Sequence, residues 1–362
     1  MSYAADRFHL IAGRSPSASR MVRPCSAGQA GHMRVLVLGG TKFLSKAVAT
    51  ELVRRGHDVL CAARGASGDV PAGARLIRVD RNDPEGFAPL AGERFDSVID
   101  VATMSLTWVN EALQALAANA GHWTFVSSIS VYADHGPVGQ DTSSPTVEPL
   151  VEATEARTPA DDPAAYGRIK VASENRVREE LGDRAFIPRP GLITGHEDWS
   201  DRFGYWPARF YQGGRAVVPD VPDQPAQYVD VLDLATWLVD AAEQRLGGTF
   251  DAIGPITPFP ELIAEVAQVA GQDIELVGVA EDKLLAAEVK PWAGPRSLPM
   301  WVPGFHGMLS HDPKPAADAG LRHRSLGDAT RAALENELRL GLERERRAGL
   351  THEEEADLLR LT

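Results

Sequence analysis

The sequence predicts an α/β protein built on a doubly wound parallel sheet. Three observations carry that expectation. Strand and helix signals alternate from Met33 to about Leu192, the first strand candidate is a continuous apolar run, and that run ends in glycines. The run 33–40 (MRVLVLGG) suits a strand buried on both faces. Residues 43–55 place Leu44, Ala47, Val48 and Leu52 on one helical stripe, closed by Gly56. The segments 58–64 (DVLCAAR), 74–80 (ARLIRVD), 95–102 (FDSVIDVA), 122–128 (HWTFVSS) and 186–190 (FIPRP) are further strands, with helices at 107–120 and 165–181 between them. The polar, proline-containing stretch 134–163 is expected to be a surface loop.

Past Gly195 the texture changes, with Trp199, Phe203, Tyr205, Trp206, Phe210 and Tyr211 crowded together. Residues 227–243 then suggest a short strand and a helix, 249–255 a strand, and 259–270 a helix. The expected organisation is a disordered extension at 1–32, a parallel-sheet domain at 33–195, and a smaller second lobe at 196–324 whose segments return to the sheet. A charged helical tail at 325–362 follows, with Thr351 to Glu354 as a capping box and its charge run as a solvated face.

The 362 residues are 44% apolar, enough for a real core. The net charge of −13 repels phosphate backbones, so nucleic acid is not an expected partner. No apolar run reaches the length of a membrane span, so no membrane partner is expected either. Cys25 and Cys61 are too few and too differently placed for a disulfide framework, and the bulk of the chain is expected to be cytoplasmic. Residues 1–32 carry Asp6 as their single acid; a disordered extension is the favoured reading and a transit peptide the other.

Three motifs carry chemistry. A glycine turn (GGTKFLS, 39–45) follows the first strand, a serine cluster (FVSSISVY, 125–132) ends a later one, and Tyr166 and Lys170 stand four apart on one helical face. A phenol alone titrates near ~10, and an ammonium one turn away brings that value toward the working range. Turn, serine and Tyr-x-x-x-Lys in this order resemble the extended short-chain dehydrogenase/reductase superfamily, over about 33–254. The resemblance implies a Rossmann-like fold, a nicotinamide cofactor and a small-molecule substrate. It departs from the family at the second and third glycines of the turn, which here are Lys42 and Ser45.

By resemblance Ser128 polarises a substrate carbonyl, Tyr166 transfers the proton, and Lys170 binds the ribose while lowering the phenol's pKa. Gly39, Gly40, Thr41, Lys42, Phe43 and Leu44 would cradle the pyrophosphate at a helix N-terminus. Asp80 and Arg81 correspond to the adenine contact, Ala102 and Thr103 to the segment under the ribose, and Pro190 and Ile193 to the loop holding the carboxamide. At the end of the second strand Ala63 stands where NAD-users commonly carry an acid, and Arg64 follows. NADP(H) is therefore favoured over NAD(H), with a plain surface arginine as the competing reading. No metal is expected.

Absences narrow the reaction. Ile129 and Ser130 replace the acid pair of the sugar-nucleotide dehydratases, while Leu192 and Ala226 stand where nucleotide-sugar enzymes grip a diphosphate. Met104, Trp108, Ser130, His196, Trp199 and Trp206 are the expected pocket residues, which suits an apolar or aromatic carbonyl compound. The favoured function is a reductase or alcohol dehydrogenase. An epimerase on a sugar or sugar nucleotide and a non-catalytic nucleotide-sensing or RNA-associated protein are the alternatives. A homodimer through the helices flanking the active-site strand is the family's habit.

Overall fold

Seven parallel strands form the centre of the protein in a computed structural model that describes residues 31–152, 161–271 and 273–360. The first six in chain order are β1 (Arg34–Leu38), β2 (Asp58–Ala63), β3 (Arg75–Arg78), β4 (Phe95–Asp100), β5 (Ala120–Phe125) and β6 (Ala185–Pro190). The seventh, Gly248–Ala252, comes from late in the chain and pairs with β6. From that strand the order runs β6, β5, β4, β1, β2, β3. Chain direction across the sheet reverses between β4 and β1, which opens a crevice at their C-terminal ends.

Alternation along β1 explains the two covered faces. Val35 and Val37 pack with Val48 and Leu52 of α1 (Phe43–Arg54) and with Leu234 and Trp237 of a helix, Val231–Gln244, supplied by the second half of the chain. Leu36 and Leu38 point the other way, toward Val109 and Leu113 of α2 (Leu106–Leu116) and Val177 and Leu181 of α3 (Pro163–Leu181). Each fully buried side chain of this kind contributes roughly 1.5–3 kcal/mol. The expected α/β architecture is thus realised, and a late strand and a late helix complete the sheet and one of its faces.

Three boundaries moved. The second helix starts at Leu106, where Ser105 caps it, and ends at Leu116, with Ala120 already in β5. The helix bearing Tyr166 starts at Pro163, because the Asp162 side chain accepts from the Ala165 amide at 2.9 Å and proline suits the first helical position. Among the described residues of 134–163 only Pro163 lies in a helix or strand, while 153–160 lie outside the described residues. The expected extension also lies outside them up to residue 30.

The second lobe has its own core. Phe203, Trp206 and Phe210 of α4 (Arg202–Tyr211) meet Phe259 and Leu262 of the helix Phe259–Ala270, and Trp301 joins them. The tail is part of this core, which corrects the expectation of a solvated charged face. Glu337 and Glu355 are almost fully buried: Glu337 accepts from Arg344 at 2.8 Å and Arg346 at 2.5 Å, and Glu355 from Arg209 at 2.6 Å. The capping box is present, with Thr351 accepting from the Glu354 amide and the Glu354 side chain reaching back to the Thr351 amide. Among the described residues no helix is long and apolar enough to cross a membrane.

Candidate active site

Tyr166 and Lys170 lie in the first half of α3, and the Lys170 side chain reaches the residues that follow β4 and β5. The Lys170 ammonium is buried, donating to the carbonyls of Ala102 at 2.5 Å and Val126 at 2.7 Å. It lies 4.8 Å from the Phe125 ring centroid and 5.9 Å from that of Tyr166. Burial lowers its pKa to about 8, although Asp100 and Glu174 oppose the shift.

The serine cluster leaves β5 in a short 3-10 turn, Ile129–Val131. Ser128 accepts from the Ser130 amide at 3.1 Å and lies 3.1 Å from its hydroxyl. That turn can approach α3 only because residue 167 is glycine: a Cβ there would sit 2.0 Å from the Ser130 carbonyl oxygen. Burial pushes the Tyr166 phenol up, and a hydrogen bond with Ser128 and the charge of Arg202 work against that rise. Phenol, hydroxyl and cation are therefore gathered at one place.

Behind them a buried polar chain fixes the strand ends. Ser127 donates to Glu174 at 2.5 Å, Glu174 receives both arms of Arg189, and Arg189 donates to the Tyr132 hydroxyl at 3.0 Å. Tyr132 donates to Asp251 at 2.6 Å, which also meets His311 Nδ1 at 3.0 Å. Helix α3, β5, β6 and the late strand are thereby tied together beneath the site.

The glycine turn has the form a dinucleotide needs. Gly39 and Gly40 have φ of 129° and 95°, and a Cβ on Gly40 would meet Cys61 Sγ at 2.4 Å. Ser45, in the place of the third glycine, turns its hydroxyl back to the Lys42 carbonyl at 2.8 Å and so avoids the sheet. Thr41 and Leu44 are buried, Lys42 is exposed, and Phe43 takes φ of 42° as it opens α1. These residues fit a bound pyrophosphate: two glycines bring the backbone close, and a helix N-terminus faces the crevice.

Arg64 is exposed at the end of β2, and Arg78 of the neighbouring strand donates to its carbonyl at 3.0 Å. Asp80 folds back on the amide of Asn82 at 3.0 Å, while Arg81 grips Asp100 with two bonds of 2.8 and 3.0 Å and the Trp108 carbonyl at 2.7 Å. The Arg81 side chain thus braces the floor of the crevice. Ala102 is buried and Thr103 exposed; Pro190 ends β6, and Ile193 pairs with Val229.

The expected pocket residues separate. Met104 packs with Ala165, Ile169 and Tyr166, and Ser130 stands beside Ser128. Trp108 lies over the Arg81 guanidinium, 5.4 Å from centroid to Cζ, and hydrogen-bonds Asn82. Trp199 is 51% exposed with Arg347 stacked on it, and His196 is exposed beside Glu197. Trp206 is fully enclosed, its indole N–H donating to the Pro299 carbonyl at 3.1 Å. The placement of Trp199 and Trp206 corrects the aromatic wall: one faces out and the other completes the lobe's core. From this segment Arg202 is stacked 4.8 Å over Trp292, and its charge works against the rise of the Tyr166 phenol. Sequence reasoning missed this arginine. Among the described residues no group of three or more His, Cys, Asp or Glu could hold a metal ion.

The model of a family described as NAD dependent epimerase/dehydratase matches residues 35–252. The chain is 27% identical over 280 residues to 2'-dehydrokanamycin reductase of Streptomyces kanamyceticus, covering 72% of this chain and 75% of the relative. It is 28% identical over 159 residues to dTDP-6-deoxy-L-talose 4-dehydrogenase (NAD(P)(+)) of Kitasatospora kifunensis, covering 40% of this chain and 46% of the relative. A putative epimerase from Burkholderia cenocepacia superposes with a TM-score of 0.59 at 19% identity, covering 85% of this chain and 98% of that one. The Bordetella bronchiseptica enzyme WbmH in complex with NAD+ gives 0.57 at 17% identity, over 84% of this chain and 98% of that one. Likeness at those identities shows the fold.

Proposed function

Because this chain belongs to the NAD dependent epimerase/dehydratase family, we propose that it is a nicotinamide-dependent oxidoreductase that interconverts a carbonyl and an alcohol through Ser128, Tyr166 and Lys170. The observation that carries this reading is the meeting of the Ser128 hydroxyl and the Tyr166 phenol above a buried Lys170 ammonium. Bound on the glycine turn, a nicotinamide dinucleotide supplies or accepts the hydride, which no side chain can do. In the reducing direction Ser128 donates to the carbonyl oxygen, and the Tyr166 proton passes to that oxygen as it becomes an alcohol. The phenolate left behind is stabilised by the positive charges of Lys170 and Arg202. Return of a proton to Tyr166 from water closes the cycle.

Net redox turnover is favoured over epimerisation because the curated relatives are by name a reductase and a dehydrogenase. NADP(H) is favoured because two exposed guanidinium side chains, Arg64 and Arg78, stand at the ends of β2 and β3 with no acid at Ala63. Leu192 and Ala226 are buried and apolar, which supports a substrate without a nucleotide diphosphate. Trp206 is enclosed in the second lobe's core and does not support an aromatic substrate.

The test is a fluorescence titration of wild type and Tyr166→Phe with NADPH and NADH, followed by turnover on a panel of ketones. The expected result is tighter NADPH binding in both proteins and a loss of turnover of roughly 10²–10⁴ in the variant. Binding of neither cofactor, or wild-type turnover without the phenol, would overturn the reading.

A further inference from the structure

The last residue of β4 is a carboxylate in the middle of the sheet. Asp100 stands in register between Leu38 of β1 and Phe125 of β5 and is fully buried. Both of its oxygens are engaged. Oδ1 accepts from Arg81 at 2.8 Å and from the Ala102 amide at 2.9 Å, and Oδ2 accepts from Arg81 at 3.0 Å. The guanidinium also donates to the Trp108 carbonyl at 2.7 Å. A buried ion pair often adds no more stability than apolar residues of the same volume, so stability alone does not account for this charge in a central strand.

Ala102 links that carboxylate to the site. Its amide donates to Asp100, and its carbonyl accepts from the Lys170 ammonium at 2.5 Å. With one residue between them, carboxylate and ammonium stand at most about 9 Å apart. Inside a protein a charge at that distance moves a neighbour's titration midpoint by about one pH unit. The groups facing Lys170 are Asp100 from β4, Arg81 from the loop after β3, and Tyr166 and Glu174 from its own helix. Glu174 is already held by both arms of Arg189, by Arg178 and by the Ser127 hydroxyl.

We propose that Asp100 is a positioning residue for Lys170: it fixes the Ala102 carbonyl that holds the ammonium and keeps that ammonium protonated beside Tyr166, with Arg81 limiting its pull. Its part in turnover rests on the reading of Tyr166 and Lys170 as the proton-transfer pair. Burial drives Lys170 toward the neutral amine, and a midpoint of about 8 is close enough to neutrality for one carboxylate to decide its state. The two neighbours act with opposite signs, Asp100 favouring the ammonium and Arg81 disfavouring it.

The experiment is a carbon NMR titration of the Lys170 Cε in the full-length protein from about pH 5 to 10. The resonance is assigned by its absence from Lys170→Arg. Asp100→Asn keeps the shape and an acceptor for the Ala102 amide, and should lower the midpoint by about one pH unit. Arg81→Gln should raise it. Loss of a merely structural brace would not move the midpoint in opposite directions, since either substitution loosens the same contact. Midpoints equal to wild type, or shifted the same way in both variants, overturn the proposal. If Asp100→Asn does not fold, Arg81→Gln decides, and a midpoint at or below the wild-type value overturns the proposal. Turnover on the ketone panel separates the two readings. Asp100→Asn should lose activity near about pH 8 and regain it toward about pH 6, where the ammonium re-forms. Shifted midpoints with an unchanged pH profile of turnover would remove Lys170 from the chemistry and leave the Asp100 assignment standing.

Discussion

Glu197 reaches from the loop after β6 to the first turn of α1, where its carboxylate accepts from the Lys46 ammonium at 2.6 Å. Its other oxygen stands 3.4 Å from the Phe43 amide. Helix α1 has no acidic residue in its first turn and no side-chain cap from Lys42, so Glu197 provides the negative charge that a helix N-terminus favours. Burial works against that charge, but Lys46 and the Phe43 amide overcome it and hold the carboxyl below its usual range. Both ends of the contact are strained, Phe43 at φ 42° and Glu197 at φ 61°.

The same amide and the same end of the helix dipole would face a cofactor pyrophosphate. Like charges at one N-terminus repel, so Glu197→Gln should tighten NADPH binding by roughly three- to ten-fold. A fluorescence titration reads this without any substrate. Weaker binding in the variant would show that Glu197 organises the turn.

Lys170 makes the fold sensitive to alkaline pH in a direction that can be worked out. Burial lowers its pKa from the usual 10.5 to about 8, with Asp100 and Glu174 opposing and Arg81 assisting. Below pH about 8 the ammonium is charged in both folded and unfolded protein, and the burial penalty is complete. Between about 8 and 10.5 the unfolded chain binds more protons, so this group lets stability rise with pH. Lys170→Met lacks the effect. Wild type should therefore gain on the variant across that window, by up to ~3 kcal/mol, as measured by urea unfolding at several pH values. A difference that stays flat would show that Lys170 keeps an ordinary pKa.

Arg64 and Arg78 stand together at the ends of adjacent strands, joined through the Arg64 carbonyl. If they receive a 2′-phosphate, Arg64→Ala should weaken NADPH binding by about five- to thirty-fold while NADH changes less than two-fold. Equal losses for the two cofactors would remove the phosphate assignment. Arg78→Ala should act in the same direction, since the two cations share one exposed edge.

How far the site could be read before the structure depended on the range of the interaction. Tyr166, Lys170 and the serine turn follow from local spacing, and β1 from a continuous apolar run within an alternation of strand and helix signals, so they stood out. Trp206 and Trp199 could not be told apart: both are tryptophans in one aromatic stretch, and only the lobe's packing encloses the first and exposes the second. The tail's charges looked solvated because their partners are distant in sequence, Arg209 for Glu355 and Asp201 for Arg344.

Gly167 offers a test in which the sign alone decides. In a helix interior Gly→Ala ordinarily stabilises by about 1 kcal/mol, because alanine has less backbone freedom to lose. Here a Cβ would lie 2.0 Å from the Ser130 carbonyl oxygen and 3.0 Å from its carbon, and both belong to backbone that cannot swing away as a side chain can. Accommodating it means pushing the serine turn off α3, which separates Ser128 from Tyr166 and opens the contact of Ile129 and Val131 with Val171. Gly167→Ala should therefore destabilise by roughly 1–3 kcal/mol, the usual cost of overpacking, and lose most turnover while still binding cofactor. Thermal unfolding and a cofactor titration on the same preparation check both halves. A variant more stable than wild type would mean that the turn stands further from the helix, and with it the hydrogen bond between Ser128 and Tyr166 would have to be given up.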